Sequence, residues 1–307
     1  MKLLKKPLTS RVWLYQNTLI AILFAGSVVQ SEANIYTLGA RDTSMQIDLA
    51  SGITQWTNDG VNQLNLQSFY YSVGSGPAAS IYTIGLPSAP VITTNIPKTT
   101  VALNTTYADS IISVRTLFSI QSSPIGSGKA TLAQTLTINN LSATDQVFHF
   151  YQYSDFDLGG VSGGQDLQFT DNGSGKYYQV VQTGSTGITL TGLVTGVSGG
   201  SSAQLEVQAG LFDGNKFGLG SVNPVTLDNT LTAGPGNAVY AYEWDATLAP
   251  GNSITISEIQ AVVPEPSSVA LVASGMLALA LLHRRRGGQR HCRSGDGSRF
   301  SSLNLRF

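Results

Sequence analysis

Three groups of residues in this chain have types and spacing that could support chemistry. The densest lies in YQYSDFDLGGVSGGQDLQFTDNGSG, residues 151–175. Counting Asp155 as position 1, Asp157 falls at 3, Gly160 at 6 and Asp166 at 12. Oxygen ligands at 1, 3 and 12 around a glycine turn suit Ca2+, a hard cation. Two features depart from that pattern: position 5 is Gly159, and position 12 is Asp rather than the longer, bidentate Glu. The flanks also read as strands, not helices. Asp155, Asp157 and Asp166 are therefore candidate calcium ligands, and the competing reading is an acidic, glycine-rich surface loop.

The second group is carboxylic. Glu206, Glu243 and Glu258 are the glutamates between residues 34 and 263. Glycoside cleavage needs a pair of carboxyl groups, and aromatic neighbours raise a carboxyl pKa or stack on a sugar. Glu243 fits that description in YAYEWDAT, between Tyr242 and Trp244, with Asp245 two residues on. In a strand, however, Glu243 and Asp245 share one face while Tyr242 and Trp244 share the other. The expectation is a polar outer face over an aromatic core.

The third is His149, the sole histidine between residues 34 and 263. Zinc sites draw on several His or Cys ligands, and the same stretch has no cysteine, so a zinc enzyme is not expected. A Ser-His-Asp triad would have to use His149, but no Gly-x-Ser-x-Gly elbow frames a serine. No phosphate-binding or dinucleotide fingerprint follows a strand and opens a helix. His149 is expected to be a strand residue. Trp56, in TQWTNDGVNQ, marks a hairpin with Asn-Asp-Gly at its turn, and its ring is expected in the core rather than on a carbohydrate platform.

These residues sit in segments with β character. LNLQSFYYSV, ADSIISVRTLFSI, ATLAQTLTINN, QVFHFYQYSDF, GKYYQVVQT, GITLTGLVTGV, SAQLEVQAGL and NAVYAYEWDATL alternate and are rich in β-branched and aromatic residues. Gly, Ser, Asn and Pro clusters separate them. The last segment is NSITISEIQAVV, where the apolar phase changes near Ser257 and Glu258, as a β-bulge would make it. Many strands joined by short turns argue for an all-β fold, a single sandwich or jelly roll over residues 34–263. A division near residues 124–128 is the weaker alternative.

Charge fits an exported protein. Residues 34–263 hold six basic residues against twelve Asp and three Glu, a net of 6 − 15 = −9. Such an acidic body does not suit nucleic-acid binding, which needs a basic surface. Cys292 is the only cysteine, so no intramolecular disulfide forms. At the N-terminus, Lys2, Lys5, Lys6 and Arg11 precede an apolar stretch, Leu19 to Val29, and then Ser31-Glu32-Ala33. This order reads as a secretory signal peptide, cleaved between Ala33 and Asn34 after passage through the Sec translocon.

The opposite end is the most specific part of the chain. Pro264-Glu265-Pro266 precedes sixteen uncharged residues, Ser267 to Leu282, and then His283-Arg284-Arg285-Arg286. As a helix the apolar run spans about 24 Å, against a hydrocarbon core of ~30 Å, and the arginines would stay cytoplasmic. The order over residues 264–286 resembles the PEP-CTERM sorting signal. That resemblance implies recognition by an exosortase, a membrane processing enzyme of Gram-negative bacteria that make exopolysaccharide and biofilm. It implies transient anchoring in the inner membrane, then residence at the cell surface or in the extracellular matrix. Residues 287–307 add a polar, basic tail that such signals do not normally carry. The body is expected to be non-enzymatic, structural or adhesive; the alternative is a carbohydrate-binding or carbohydrate-active module. Apart from the calcium reading, no cofactor is expected.

Overall fold

The computed structural model describes residues 35–95, 97–171, 179–199 and 201–265, together with Met276. The signal peptide with its Ala33–Asn34 junction, Pro266, the apolar run apart from Met276, Arg284, Arg285, Arg286 and the basic tail lie outside these residues. No helix among the described residues is long and apolar enough to cross a membrane.

Eighteen strands build the described fold. In chain order they are β1 (Ile35–Ala40), β2 (Thr43–Asp48), β3 (Gly52–Asn58), β4 (Val61–Asn62), β5 (Leu66–Val73) and β6 (Ala79–Ser80). Then come β7 (Val91–Thr94), β8 (Thr100–Ala108), β9 (Ile112–Ser122), β10 (Ala130–Asn140), β11 (Gln146–Asp155) and β12 (Gln165–Thr170). The last six are β13 (Gln179–Thr183), β14 (Ile188–Ser198), β15 (Ser201–Leu211), β16 (Thr232–Gly236), β17 (Ala238–Leu248) and β18 (Ser253–Pro264). Sheet A runs β1-β2-β3-β5-β11-β17-β15, with β4 beside β3 and β6 beside β5. Sheet B runs β16-β12-β13-β14-β18-β10-β9-β8-β7. Neighbouring strands are antiparallel, and the two sheets pack as a sandwich around one apolar core.

Alternation makes these strands. In β10, Leu132, Leu136 and Ile138 are buried, while Thr131, Thr135 and Thr137 point outward. Between β3 and β4, Asp59 and Gly60 both take positive φ, 48° and 78°, as a two-residue hairpin turn of the primed type requires. Trp56 is fully buried and meets Phe156 edge-on at 6.3 Å. Tyr240, Tyr242 and Trp244 point inward from β17; Tyr240 meets Tyr242 edge-on at 5.8 Å, and Tyr242 stacks on Trp244 at 5.4 Å. Neither body tryptophan is available as an exposed platform.

The bulge expected within β18 is not there. β18 pairs with β10 in unbroken register from Ser253 to Val262, and the extra residue is Thr195 on the neighbouring β14, opposite Ser257 and Glu258. Along β18, Ile254, Ile256, Glu258, Gln260 and Val262 all face the core. The sequence misleads here because two polar residues occupy inward positions while Ile259 and Val263 point out.

Those two polar residues belong to a hydrogen-bonded seam inside the sandwich. Gln152 on β11 donates to Glu258 Oε2 at 2.7 Å, Gln134 on β10 donates to the same oxygen, and Gln260 donates to Oε1 at 3.1 Å. Gln260 also donates to the Tyr240 hydroxyl at 3.0 Å, and Gln67 on β5 donates to Ser154 Oγ at 3.0 Å. Burial pushes the Glu258 carboxyl up to about 7, and the three amide donors hold it from rising further. Buried polar groups are tolerated when partnered in this way.

The domain also runs further than the prolines suggest. Pro264 still pairs with Ile188 on β14, and the Glu265 N–H donates to Gly187 O at 2.7 Å. Thr189 Oγ1 donates to Glu265 Oε1 at 3.1 Å. Two of the three Pro-Glu-Pro residues are thus attached to sheet B.

Candidate functional site

The outward residues of β11 and β17 bring together groups far apart in sequence. Antiparallel register sets His149 opposite Asp245 and Tyr151 opposite Glu243. On the far side of β17, Glu206 of β15 stands opposite Glu243. Across β11, Ser72 and Tyr70 of β5 stand opposite His149 and Tyr151. One imidazole and three carboxyl groups therefore share a small area of the outer face of sheet A.

Most of that face is not open to solvent. Residues 212–231, between β15 and β16, fold over it: Leu219 and Leu227 pack with Tyr70, Tyr151, Tyr153 and Ala241 in a second, smaller core. Three backbone contacts fix the cap. The Leu227 N–H donates to Glu243 Oε2 at 3.0 Å, the Tyr151 hydroxyl donates to Val225 O at 3.0 Å, and the Gly220 N–H donates to Ala78 O at 3.0 Å. Glu243 is consequently buried, only 2% exposed, which corrects the expectation of a solvated polar face. The rest of that expectation stands: Tyr242 and Trp244 lie in the core beneath it.

At the edge of the cap, His149 and Asp245 remain partly open, with side chains 26% and 28% exposed. His149 Nδ1 lies 2.5 Å from Asp245 Oδ1 and 3.5 Å from Glu243 Oε1. Its pKa is pushed up to about 10, chiefly by the hydrogen bond to Asp245 and then by that to Glu243, with burial opposing. At neutral pH His149 is an imidazolium held between two carboxylates, so it donates rather than acting as a base. The Glu206 carboxyl is raised by burial and then by its neighbours Glu243 and Asp245. The Tyr151 hydroxyl is raised by burial and then by Glu243.

The cluster can bind polar or cationic groups at its rim, and deprotonated His149 could join Glu243 and Asp245 around a metal ion. Their ligand atoms lie within 4.8 Å of one another, and among the described residues this is the group of His, Cys, Asp and Glu that converges so. The sequence names each of the three residues without joining them, because the β11–β17 pairing spans 96 positions. Alternation within each strand is the one signal that puts Glu243 and Asp245 on a shared face.

The three candidate calcium ligands are not gathered in this way. Asp155 ends β11 in sheet A, 1% exposed, and accepts from Asn65 Nδ2 at 2.8 Å. Asp157 follows the strand, and burial raises both carboxyls. Asp166 sits on an outward, exposed position of β12 in sheet B. The twelve-residue spacing is met in sequence, but the chain crosses from one sheet to the other between its ends. Glu258, the third glutamate, is in the polar seam and does not face a groove with Glu243. Pro264 and Glu265 close β18, as described above.

No curated protein matches the chain. Solved structures with a related backbone course include a bacterial glucoamylase complexed with acarbose, at 8% identity and a TM-score of 0.45. That match covers 77% of this chain and 32% of the other, so the chain spans about a third of the glucoamylase. The Slr1438 protein from Synechocystis sp. PCC 6803 matches at 10% identity and a TM-score of 0.43, over 75% of this chain and 96% of its own. A putative aldose 1-epimerase from Escherichia coli K12 matches at 9% identity and a TM-score of 0.37, over 75% and 99%. Likeness at this level carries no information on activity. Residues 262–286 match the family model described as the PEP-CTERM protein-sorting motif; the chain thus carries, overlapping the end of its last strand, a signal that indicates an exported protein sorted by exosortase through transient membrane anchoring.

Proposed function

We propose that the β-domain is the cargo of this signal: a non-enzymatic surface or extracellular-matrix protein that contributes structurally or adhesively to an exopolysaccharide layer. The observation that carries the reading is the continuity of β18 with the sorting motif. The matched residues begin at 262, inside the last strand, and Pro264 and Glu265 are still bound to β14. The imidazolium state of His149 at neutral pH also disfavours its use as a general base.

Removing residues 266–286 tests the reading, because Pro264 and Glu265 stay in the fold. Fractionation of cells should then find the protein lost from the surface and matrix, and the mature mass should no longer reflect processing. An unchanged distribution with an unchanged mature mass overturns it.

A second reading is a carbohydrate-binding or carbohydrate-active module, favoured by the partly open His149–Glu243–Asp245 rim. Its test is incubation with exopolysaccharide from a producing strain, reading both retention and new reducing ends. Retention without cleavage fits binding; cleavage abolished by Asp245→Asn fits an enzyme; neither outcome leaves the structural reading.

A further inference from the structure

The contacts around the end of β18 close into a ring at one end of the sandwich. Gly128, in the β9–β10 loop, lies so close to Pro264 that a β-carbon there would strike the proline ring. In the same loop the Gly126 N–H donates to Asp42 Oδ2 and Asp59 Oδ1, each at 3.0 Å, which ties in the β1–β2 and β3–β4 turns. On the other flank, the Glu265 N–H is bound to Gly187 O, and Thr186 beside it donates to Leu158 O at 3.3 Å. The helical turn Leu158–Gly160 packs against β4, which returns the ring to Asp59.

Three apolar side chains on this end are open to solvent, Ile125 at 76% and Val61 and Val161 at 40% each. The charges here are mixed, with Arg41, Lys98 and Lys129 against Asp42, Asp59, Asp157, Asp166 and Glu265. They give no reason to expect a basic, lipid-seeking patch, so the argument rests on distance and on the exposed apolar tip.

Only Pro266 separates Glu265, which is held by β14, from Ser267, where the sixteen uncharged residues begin. Two residue steps reach at most about 7 Å. A headgroup layer is on the order of 5–8 Å thick, the difference between a core of ~30 Å and a bilayer of ~40–45 Å shared by two sides. As a helix the uncharged run covers about 24 Å, short of a core of ~30 Å. That mismatch draws the first residues of the run, and the strand tied to them, inward.

We infer that this end of the sandwich is a membrane-seating face: while the anchor is in place it lies on the lipid headgroups, with Ile125 directed at the apolar boundary beneath them. Ile125 is three residues from Gly128, so it lies within about 11 Å of it, and Gly128 touches the chain at its exit. A leash of this length leaves no room for a folded partner between this end and the bilayer. An exposed isoleucine gains by leaving water, and the interface is the one apolar medium within its reach. The inference rests on residues 262–286 acting as the sorting signal.

The test uses the full chain with Cys292→Ser in phosphatidylethanolamine–phosphatidylglycerol vesicles, with circular dichroism to verify folding. A fluorescent label is placed on one introduced cysteine. Ile125→Cys probes the seating face. Leu86→Cys is the control, because Leu86 is 93% exposed and follows Gly85, which packs on Ala108 at the opposite end of β8. Nitroxide-bearing lipids in both leaflets should quench the label at 125 and leave that at 86 bright. Flotation of the vesicles after an alkaline wash reads the anchor independently. A chain that does not float overturns the anchor and the seating together. A chain that floats but is quenched equally at both positions, or at neither, overturns the seating alone.

Discussion

Residues that point away from the core meet different surroundings on the two sides of the sandwich. On sheet A much of the outer face of β5, β11 and β17 is roofed by residues 212–231, and the roof buries a tyrosine-lined second core together with Glu243. On sheet B the outward Leu117, Leu193, Ile259 and Val263 stay 36–42% exposed. The difference follows from composition. β11 and β17 carry large or ionisable residues on their outer positions, which need cover or partners, whereas β10 and β18 carry mainly Thr and Ser, which water satisfies. One face is therefore completed by the chain itself, and the other ends in short hydroxyl side chains that need no cover.

Truncation under the roof should give the largest effect. Leu227→Ala, at a position 2% exposed, should lower the free energy of unfolding by about 2–5 kcal/mol in urea titrations. Leu193→Ala on the bare face should change it by less than about 1 kcal/mol. Equal losses would erase the contrast.

The interior between the two faces should respond to pH. Glu258 rises from 4.5 to about 7 on folding. The unfolded chain then releases its proton first, so stability from this group is intact below pH 4.5 and falls as pH rises to 7. The loss is on the order of a few kcal/mol. Glu258→Gln, which imitates the protonated acid, should flatten the pH 4.5–7 limb. The unpartnered amide oxygens of Gln134 and Gln260 can turn to meet its new N–H group. A limb unchanged in that variant would assign the titration to another group.

On the roofed face the corresponding window is alkaline. His149 rises from 6.5 to about 10, so its stabilising contribution is full below pH 6.5 and is lost as pH climbs to 10. His149→Gln should remove that slope while leaving the acid limb intact. Because the site is partly exposed, added salt should also shrink the effect. The smallest change belongs to the bare face: Thr137→Ala should alter stability by only about 0.2–1 kcal/mol, the range of a single cross-strand pair.

Much of the fold is legible in the sequence because a half-buried strand shows its period. ATLAQTLTINN reads as β10 over the residues that form it, and NAVYAYEWDATL reads as β17 to within one residue. Legibility fails where a polar residue takes an inward position. Glu258 and Gln260 look like solvent-facing residues, since nothing local announces the amides of Gln134 and Gln152 that receive them. It fails again at the site. His149, Glu243 and Asp245 are each visible, but which strand lies beside which is decided by the whole topology. The roof over Glu243 is a loop without periodicity, and its contacts depend on where the face beneath it lies.

The attachment of Pro264 and Glu265 to sheet B has a mechanical consequence. While the anchor is in place, any pull from the membrane enters the domain at the end of β18. That strand is held on both flanks, by β10 and by β14, through bonds that run across the direction of pull. The ladder is then loaded in shear, with many bonds sharing the force at once instead of opening one after another like a zip. The residues that open the address of this protein thus also tie it to two neighbouring strands of its sheet.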